Sequence, residues 1–179
     1  MEAAGRCIRV LLASLCLSTA SLAAAVRPAD ATASRTARAT LHQEGESQRG
    51  RLWLRQQAGA AGASDCVIST LVGRRTFGPA LHVGGGTPVV RIRFHKSLRP
   101  YRKPIVKVWT TVDAEGHPLG VPRRIPSQLV KEMHRGHQRW ASLIEPDVFS
   151  DLYISVLAGW NDPKACGIED AGYTFHIAP

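Results

Sequence analysis

Residues 87–113 read TPVVRIRFHKSLRPYRKPIVKVWTTVD, and two runs within this stretch alternate between apolar and polar side chains. The first run is VRIRF at 90–94, and the second is IVKVWTTV at 105–112. Period-two alternation is typical of a β-strand that buries one face. The intervening residues, 95–104, are basic and contain two prolines, as expected for a loop. The stretch therefore predicts a β-hairpin.

The two faces of this hairpin differ in character. On one face we expect core residues, namely Val90, Ile92, Phe94, Val106, Val108, Val112, Ile154 and Val156, with Cys66 and Ile68 beside them. The other face and the loop predict a polyanion-binding surface made of Arg91, Arg93, His95, Lys96, Arg99, Tyr101, Arg102, Lys103, Lys107 and Trp109. A second interpretation stays open, because charged rows also keep a sheet soluble and discourage pairing at its edges.

Strand-like runs recur along the rest of the chain with turn residues between them. They lie at 51–55, 66–72, 80–83, 152–158 and 173–177, and a loop is expected at 159–167. Residues 127–144 favour a second hairpin that turns at His134-Arg-Gly-His137, although 127–135 also fits a short helix. This spacing predicts an all-β chain folded as an antiparallel β-sandwich.

One local feature resembles a known class of sandwich. The order Tyr153-Ile-Ser-Val follows an acidic, proline-containing corner at 145–147. It resembles the tyrosine corner of immunoglobulin-like and fibronectin-like sandwiches. The resemblance concerns general architecture and implies no functional site.

The N-terminal region has the pattern of a secretory signal peptide. Arg6 and Arg9 precede an apolar run at 10–17, and residues 23–25 are three alanines, as at a signal-peptidase site. We therefore expect a signal peptide at 1–25. Residues 26–64 are expected to be a flexible Ala/Gly/Arg-rich leader with an edge strand at 51–55, and 65–179 a β-sandwich domain. The expected location is secreted, extracellular or in the cell envelope, with no transmembrane segment.

Two of the four cysteines lie beyond the signal peptide. Cys66 and Cys166 form an even pair in a chain predicted to enter an oxidising compartment, which predicts one disulfide. The chain-entropy model allows up to about 4.7 kcal/mol for closing a loop of about 100 residues. Two free buried thiols are the alternative.

The charge is unevenly distributed along the sequence. Removing Arg6, Arg9 and Glu2 reduces the 23 basic and 14 acidic residues to 21 and 13, a net charge of +8. Residues 66–139 hold fourteen Lys or Arg against three acids, and residues 140–179 hold one lysine against six acids. We expect the two regions to pair partly with each other and the surplus to face a polyanion.

No motif in the sequence specifies a reaction. There is no nucleophile elbow, no H-E-x-x-H and no dedicated nucleic-acid motif, and His134 with His137 is interpreted as a loop pair rather than a metal site. The sequence predicts an exported, non-catalytic accessory or binding module without cofactor or metal. The expected partners are anionic polysaccharide, teichoic acid or an acidic lipid surface. A structural or protein-partner module, such as an envelope scaffold or secreted inhibitor, is the alternative. A secreted hydrolase without a recognisable motif comes third.

Overall fold

The structure is a computed structural model that describes residues 38–58, 70–162 and 167–179. The predicted signal peptide, both predicted disulfide cysteines and Ile68 lie outside these residues. Every regular element in the described ranges is a strand. The strands are β1 Ala39–Gln43, β2 Glu46–Arg49, β3 Arg51–Ala58, β4 Thr70–Val72, β5 Leu81–His82, β6 Val90–Phe94, β7 Ile105–Trp109, β8 Arg123–Ile125, β9 Gln128–His134, β10 His137–Ile144, β11 Leu152–Asp162 and β12 Gly167–Ala178.

The strands form two sheets that pack face to face, as in a β-sandwich. The five-stranded sheet has the order β2-β1-β6-β10-β9, and the seven-stranded sheet has the order β4-β3-β12-β11-β7-β8, with β5 added beside β12. All pairings are antiparallel except the short one between β5 and β12. The all-β prediction is confirmed.

The core lies between the sheets and contains most of the predicted core residues. Phe94 of the five-stranded sheet contacts Trp160 and Tyr173 of the other, with ring centroids 5.5 and 6.5 Å apart. Seven predicted core residues are buried: Val90, Ile92, Phe94, Val106, Val108, Ile154 and Val156. Val112 is only half-buried because the chain leaves β7 at Trp109 and enters a turn.

The predicted hairpin of β6 and β7 is wrong. β6 pairs with β1 and β10 in the five-stranded sheet, whereas β7 pairs with β11 and β8 in the seven-stranded sheet. The intervening residues, 95–104, cross from one sheet to the other. Alternation identifies the buried face of a strand but not its neighbour, so it fits either arrangement.

The second hairpin is confirmed. β9 and β10 pair from His134 opposite His137 onward, and the two turn residues, Arg135 and Gly136, have φ of 50° and 76°. Positive φ at both central positions is the type I′ geometry that suits the twist of a tight hairpin. This region contains no helix.

Part of the predicted flexible leader is ordered as strands. β1 and β2 form a hairpin around Glu44 and Gly45, and β1 also pairs with β6. β3 lies between β4 and β12 rather than at a sheet edge. Composition misled the prediction for 39–49, since two buried side chains, Ala39 and Leu41, together with strand pairing are enough to order this segment. Residues 159–167 were expected to form a loop, but β11 continues to Asp162 and β12 begins at Gly167.

Candidate functional site

The outer face of the five-stranded sheet carries a concentration of basic side chains, which we call the basic face. Cross-strand partners share a face, and Ala39, Leu41, Ile92 and Phe94 are buried inward. The outward positions of β1, β2, β6, β9 and β10, with the residues next to them, therefore belong to the basic face. They hold Arg38, His42, Arg49, Arg91, Arg93, His95, Glu132, His134, His137 and Arg139.

Glu132 organises the centre of the basic face. Its two carboxylate oxygens accept from Arg91 Nε at 2.7 Å and from Arg93 Nε at 3.0 Å. Arg93 also donates from Nη1 to His42 Nε2 at 3.2 Å. One carboxylate thus orients two guanidinium groups while neutralising only one positive charge. A cationic surplus remains on this surface.

Three of the histidines on the basic face have a pKa below the ordinary histidine value. Burial, followed by the charge of Arg93, lowers the pKa of His42. Burial and the nearby guanidinium groups, Arg139 first, lower the pKa of His95, whose Nε2 lies 2.7 Å from Thr40 Oγ1. The charge of Arg93 is the largest cause that lowers the pKa of His134. Cations favour the neutral imidazole because they repel its protonated form.

A groove of about 490 Å³ opens at the end of the basic face. Its walls include Pro88, Glu44, His42, Arg91 and Arg93. The groove places two arginines and a histidine around a space that a polar group of a ligand can enter.

The predicted binding residue Lys96 instead points into the protein. Its ammonium group forms an ion pair with Glu169, whose side chain is 1% exposed, and Arg55 Nε binds the same carboxylate at 3.1 Å. Lys96 also lies 5.5 Å from the Trp160 ring centroid. Because it neutralises a buried charge, Lys96 is not part of a surface site.

The rest of the predicted basic loop lies at the open side of the sandwich. Arg99, Tyr101, Arg102 and Lys103 line a second groove of about 640 Å³ together with residues 127–129. Two of the cations there already have partners on the protein. Arg102 binds Asp170 at 3.3 Å, and the Arg99 guanidinium lies 5.3 Å from the Trp140 ring centroid.

Lys107 and Trp109 lie on the outer face of the other sheet. Trp109 is only 6% exposed. The Arg75 guanidinium stacks 4.0 Å over the Trp53 ring and lies 5.9 Å from Trp109, while Thr174 Oγ1 donates to the Thr76 carbonyl at 2.6 Å. Alternation correctly predicted that Trp109 lies on the outer face of β7. The segment that contains Arg75 and Thr76, distant in the sequence, packs over this face.

The structure thus divides the ten predicted binding residues among three places. Arg91, Arg93 and His95 lie together on the basic face, the loop residues lie elsewhere, and β7 lies on the opposite sheet. Sequence reasoning missed His42, Arg49 and their neighbours in the supposed leader. The signal was present, because Arg38, Thr40 and His42 alternate with Ala39 and Leu41 before a Glu-Gly turn.

One group of possible metal ligands lies away from the basic face. Asp113, Glu115 and His117 each bring a ligand atom within 4.8 Å of the others. Asp113 already accepts from the His117 backbone at 2.7 Å and from its ring at 3.0 Å. These bonds account for the turn without an ion, so the group does not identify a metal centre. Within the described ranges there is no helix of the length and apolar character needed to cross a membrane.

Comparison with known proteins gives no family assignment: no protein-family model, curated protein or solved structure matches the chain.

Proposed function

We propose that the protein is an exported, non-catalytic binding module and that it holds an anionic polymer on the basic face. The observation that supports this most directly is the charge of that face. Among the described residues it carries five arginines, Arg38, Arg49, Arg91, Arg93 and Arg139, against two carboxylates, Glu132 at its centre and Glu44 at the groove. The arginines stand on several adjacent strands, so an extended polymer can meet several of them together.

The dimensions of the basic face suit a polymer. Adjacent strands lie about 4.8 Å apart, and alternate residues along one strand are separated by about 6.6 Å. The cations are therefore distributed over roughly 19 Å across the five strands. Sulfate or phosphate groups along a chain can bind these cations through charge-assisted hydrogen bonds to guanidinium groups.

A polymer fits this surface better than a lipid bilayer. Membrane-surface binding combines cations with apolar side chains that enter the acyl region. Among the described residues, most large exposed apolar side chains lie away from the basic face, for example Val121 and Phe149 in loops, whereas Val89, 55% exposed, lies with Arg91 in the groove. Met133 lies on β9 between Glu132 and His134, which point outward, so it belongs to the opposite face of the strand. In the described part of the chain, the basic face therefore combines several cations with Val89 as its one large exposed apolar side chain, a small apolar surface for insertion into a bilayer.

The test compares three triple variants with the same loss of charge. The first, Arg49/Arg91/Arg139→Ser, removes cations of the basic face, and the second, Arg99/Arg102/Lys103→Ser, removes those of the loop groove. The control, Arg51/Arg74/Arg124→Ser, removes exposed cations of the seven-stranded sheet and its connections. Binding is measured on dextran sulfate, uncharged dextran and anionic vesicles over a salt series.

We expect the first variant alone to lose most of its affinity for dextran sulfate. The slope of log affinity against log salt should fall by about 2–3 for three lost contacts. Equal losses in all three variants would mean that only net charge matters. If only the loop variant loses affinity for dextran sulfate, the binding site is the loop groove. If the protein binds anionic vesicles but not dextran sulfate, the partner is a membrane surface.

A protein partner is the second candidate function, supported by two exposed apolar side chains. Val121 is 95% exposed and Phe149 is 80% exposed. Their loops are joined by an ion pair from Arg123 Nη1 to Asp147 Oδ2 at 3.0 Å. Retained polymer binding together with loss of self-association or partner capture in Val121/Phe149→Ser would give this surface a separate role.

We also propose an immunoglobulin-like topology for the sandwich. Supporting it, β1-β6-β10-β9 follows the A-B-E-D order of such sandwiches, and β12-β11-β7-β8 follows the order G-F-C-C′. Tyr153 lies near the start of β11, the strand that corresponds to F. β2–β5 are then insertions between the first two strands of the common pattern.

The Cys66–Cys166 disulfide stays a proposal, supported by the even number of cysteines that remain after the predicted signal peptide. Both cysteines lie outside the described residues. Intact mass after alkylation with and without reduction tests the bond, since two thiols that alkylate in the unreduced protein would exclude it.

A further inference from the structure

We propose that the basic face captures its anionic polymer in a pH-dependent manner and holds it more tightly at mildly acidic pH than at neutral pH. The inference rests on the proposed function and concerns the regulation of that same site. It starts from the placement of His42, His95 and His134 among arginines on the basic face.

The contact between Arg93 and His42 provides the chemical basis. A guanidinium group only donates hydrogen bonds, so His42 Nε2, 3.2 Å from Arg93 Nη1, must accept with its lone pair. Protonation of His42 converts this acceptor into a donor. Arg93 and His42 then present two donors to the same space, which an anionic oxygen can satisfy. A bound sulfate or phosphate thus replaces the lost acceptor.

The surroundings of the three histidines are mainly cationic on every neighbouring element. The charged or titratable groups facing them are Arg38, Glu44, Arg49, Arg91, Arg93, Glu132, Arg135, His137 and Arg139. In the absence of a ligand, burial and then these cations lower the pKa of His42 and His95, and the charge of Arg93 is the largest cause that lowers the pKa of His134. Glu132 opposes the shift at His42 and His134. A polyanion would supply the missing negative charge and favour protonation.

Linkage makes the effect reciprocal. If the polymer binds the protonated form better, protonation strengthens binding and binding raises the pKa of each histidine. Every proton taken up on binding contributes about a tenfold change in affinity per pH unit while the group titrates. Three histidines in one site therefore give a steep dependence in the range just below an ordinary histidine pKa of about 6.5.

The probe is dextran sulfate, because sulfate esters keep their charge throughout this range. We expect the affinity of the wild-type protein to rise at least about tenfold from pH 7.5 to 5.5 at constant ionic strength. The variant His42/His134→Asn should lose most of this change, since the Asn amide oxygen at 42 can still accept from Arg93 but cannot be protonated. The matched control, His82/His117→Asn, removes two histidines outside the basic face and should retain it.

The histidine ring signals provide an independent readout by NMR. Dextran sulfate should raise the pKa of His42, His95 and His134, whereas the ring signals of His82, outside the basic face, should not respond to the polymer. Binding that is equally tight at both pH values would overturn the pH dependence while the proposed function stands. If the protein binds no dextran sulfate at pH 5.5 and none at pH 7.5, the proposed function itself is contradicted. Equal pH dependence in the two double variants would place the titrating groups outside the basic face.

Discussion

Glu169 shows how strongly one buried residue can direct its neighbours. Its carboxylate lies in the interior, where an isolated charge is costly, and it is balanced by Arg55 and Lys96. This pairing explains why a lysine from a basic loop does not face solvent. It also joins β12 to β3 and to the start of the loop that crosses between the sheets.

Replacing Glu169 by Gln should destabilise the protein by about 3–5 kcal/mol, because two partly buried cations lose their carboxylate. The neighbouring change Asp170→Asn is the control. Asp170 binds the exposed Arg102 at 3.3 Å, and such surface pairs contribute about 0–1 kcal/mol. Urea unfolding of both variants measures the difference. Similar small losses in the two variants would mean that Glu169 is not buried as a charged group.

Residue-level prediction succeeded where the strand period applied and failed in the loop. Arg91, Arg93 and His95 lie together on one face, as their alternation with Ile92 and Phe94 predicted. Residues 96–103 have no period, so the direction of Lys96 could not be read from its position. Its partner stands 73 residues away in the sequence.

Among the elements, β6 illustrates both the strength and the limit of pattern analysis. Its buried positions, Val90, Ile92 and Phe94, were identified correctly. Its neighbours were not, because β1 lies in a segment whose composition indicated disorder, and β10 lies about 50 residues away. Ten loop residues permit a crossing to the other sheet as readily as a turn, so topology depends on contacts that a local pattern does not contain.

Alternation along β6 can be tested by changing adjacent residues. Ile92→Ala should reduce the free energy of unfolding by about 2–5 kcal/mol, since Ile92 is fully buried between the sheets. Arg91→Ser should cost about 0–1 kcal/mol, because its side chain is 47% exposed and Arg93 still binds Glu132. Denaturant unfolding measures both variants. Equal effects would mean that the register of β6 is wrong.

At the scale of the whole molecule, the basic region of the sequence pairs partly with the acidic C-terminal region. Lys96 with Glu169 and Arg102 with Asp170 join the basic region to the acidic C-terminal region, as predicted. On the basic face, Arg91 and Arg93 share the single carboxylate of Glu132, so two guanidinium groups meet one negative charge there. The charge counts of the sequence therefore indicated the cationic surplus correctly. Where that surplus lies depends on the order of the strands, which the counts do not contain.

The stability of the whole molecule should depend on pH through the basic face. The pKa of His42, His95 and His134 is lowered in the folded protein, so the unfolded chain binds protons first as the pH falls. Stability is therefore fully present above about pH 6.5 and is lost as the pH falls through the folded pKa values. Thermal unfolding should show a lower Tm at pH 5.5 than at pH 7.5.

The variant His42/His95/His134→Asn should flatten this dependence, because neutral amides do not titrate. Dextran sulfate should restore the Tm of the wild-type protein at pH 5.5 more than that of the variant. Carboxyl groups titrate mainly below this window, near pH 4, and contribute little to the difference. A Tm that falls equally in both proteins would assign the effect to other groups.

The most direct test of the central claim is to map the binding surface by NMR with a sulfated oligosaccharide. We expect chemical shifts and intermolecular contacts to involve alternate, outward residues of adjacent strands, including His42 on β1, Arg91 and Arg93 on β6, and Arg139 on β10. Inward neighbours such as Ile92 should change little. Perturbations concentrated at Arg99, Arg102 and Lys103, or around Lys107 on the opposite sheet, would contradict the assignment of the site to the basic face.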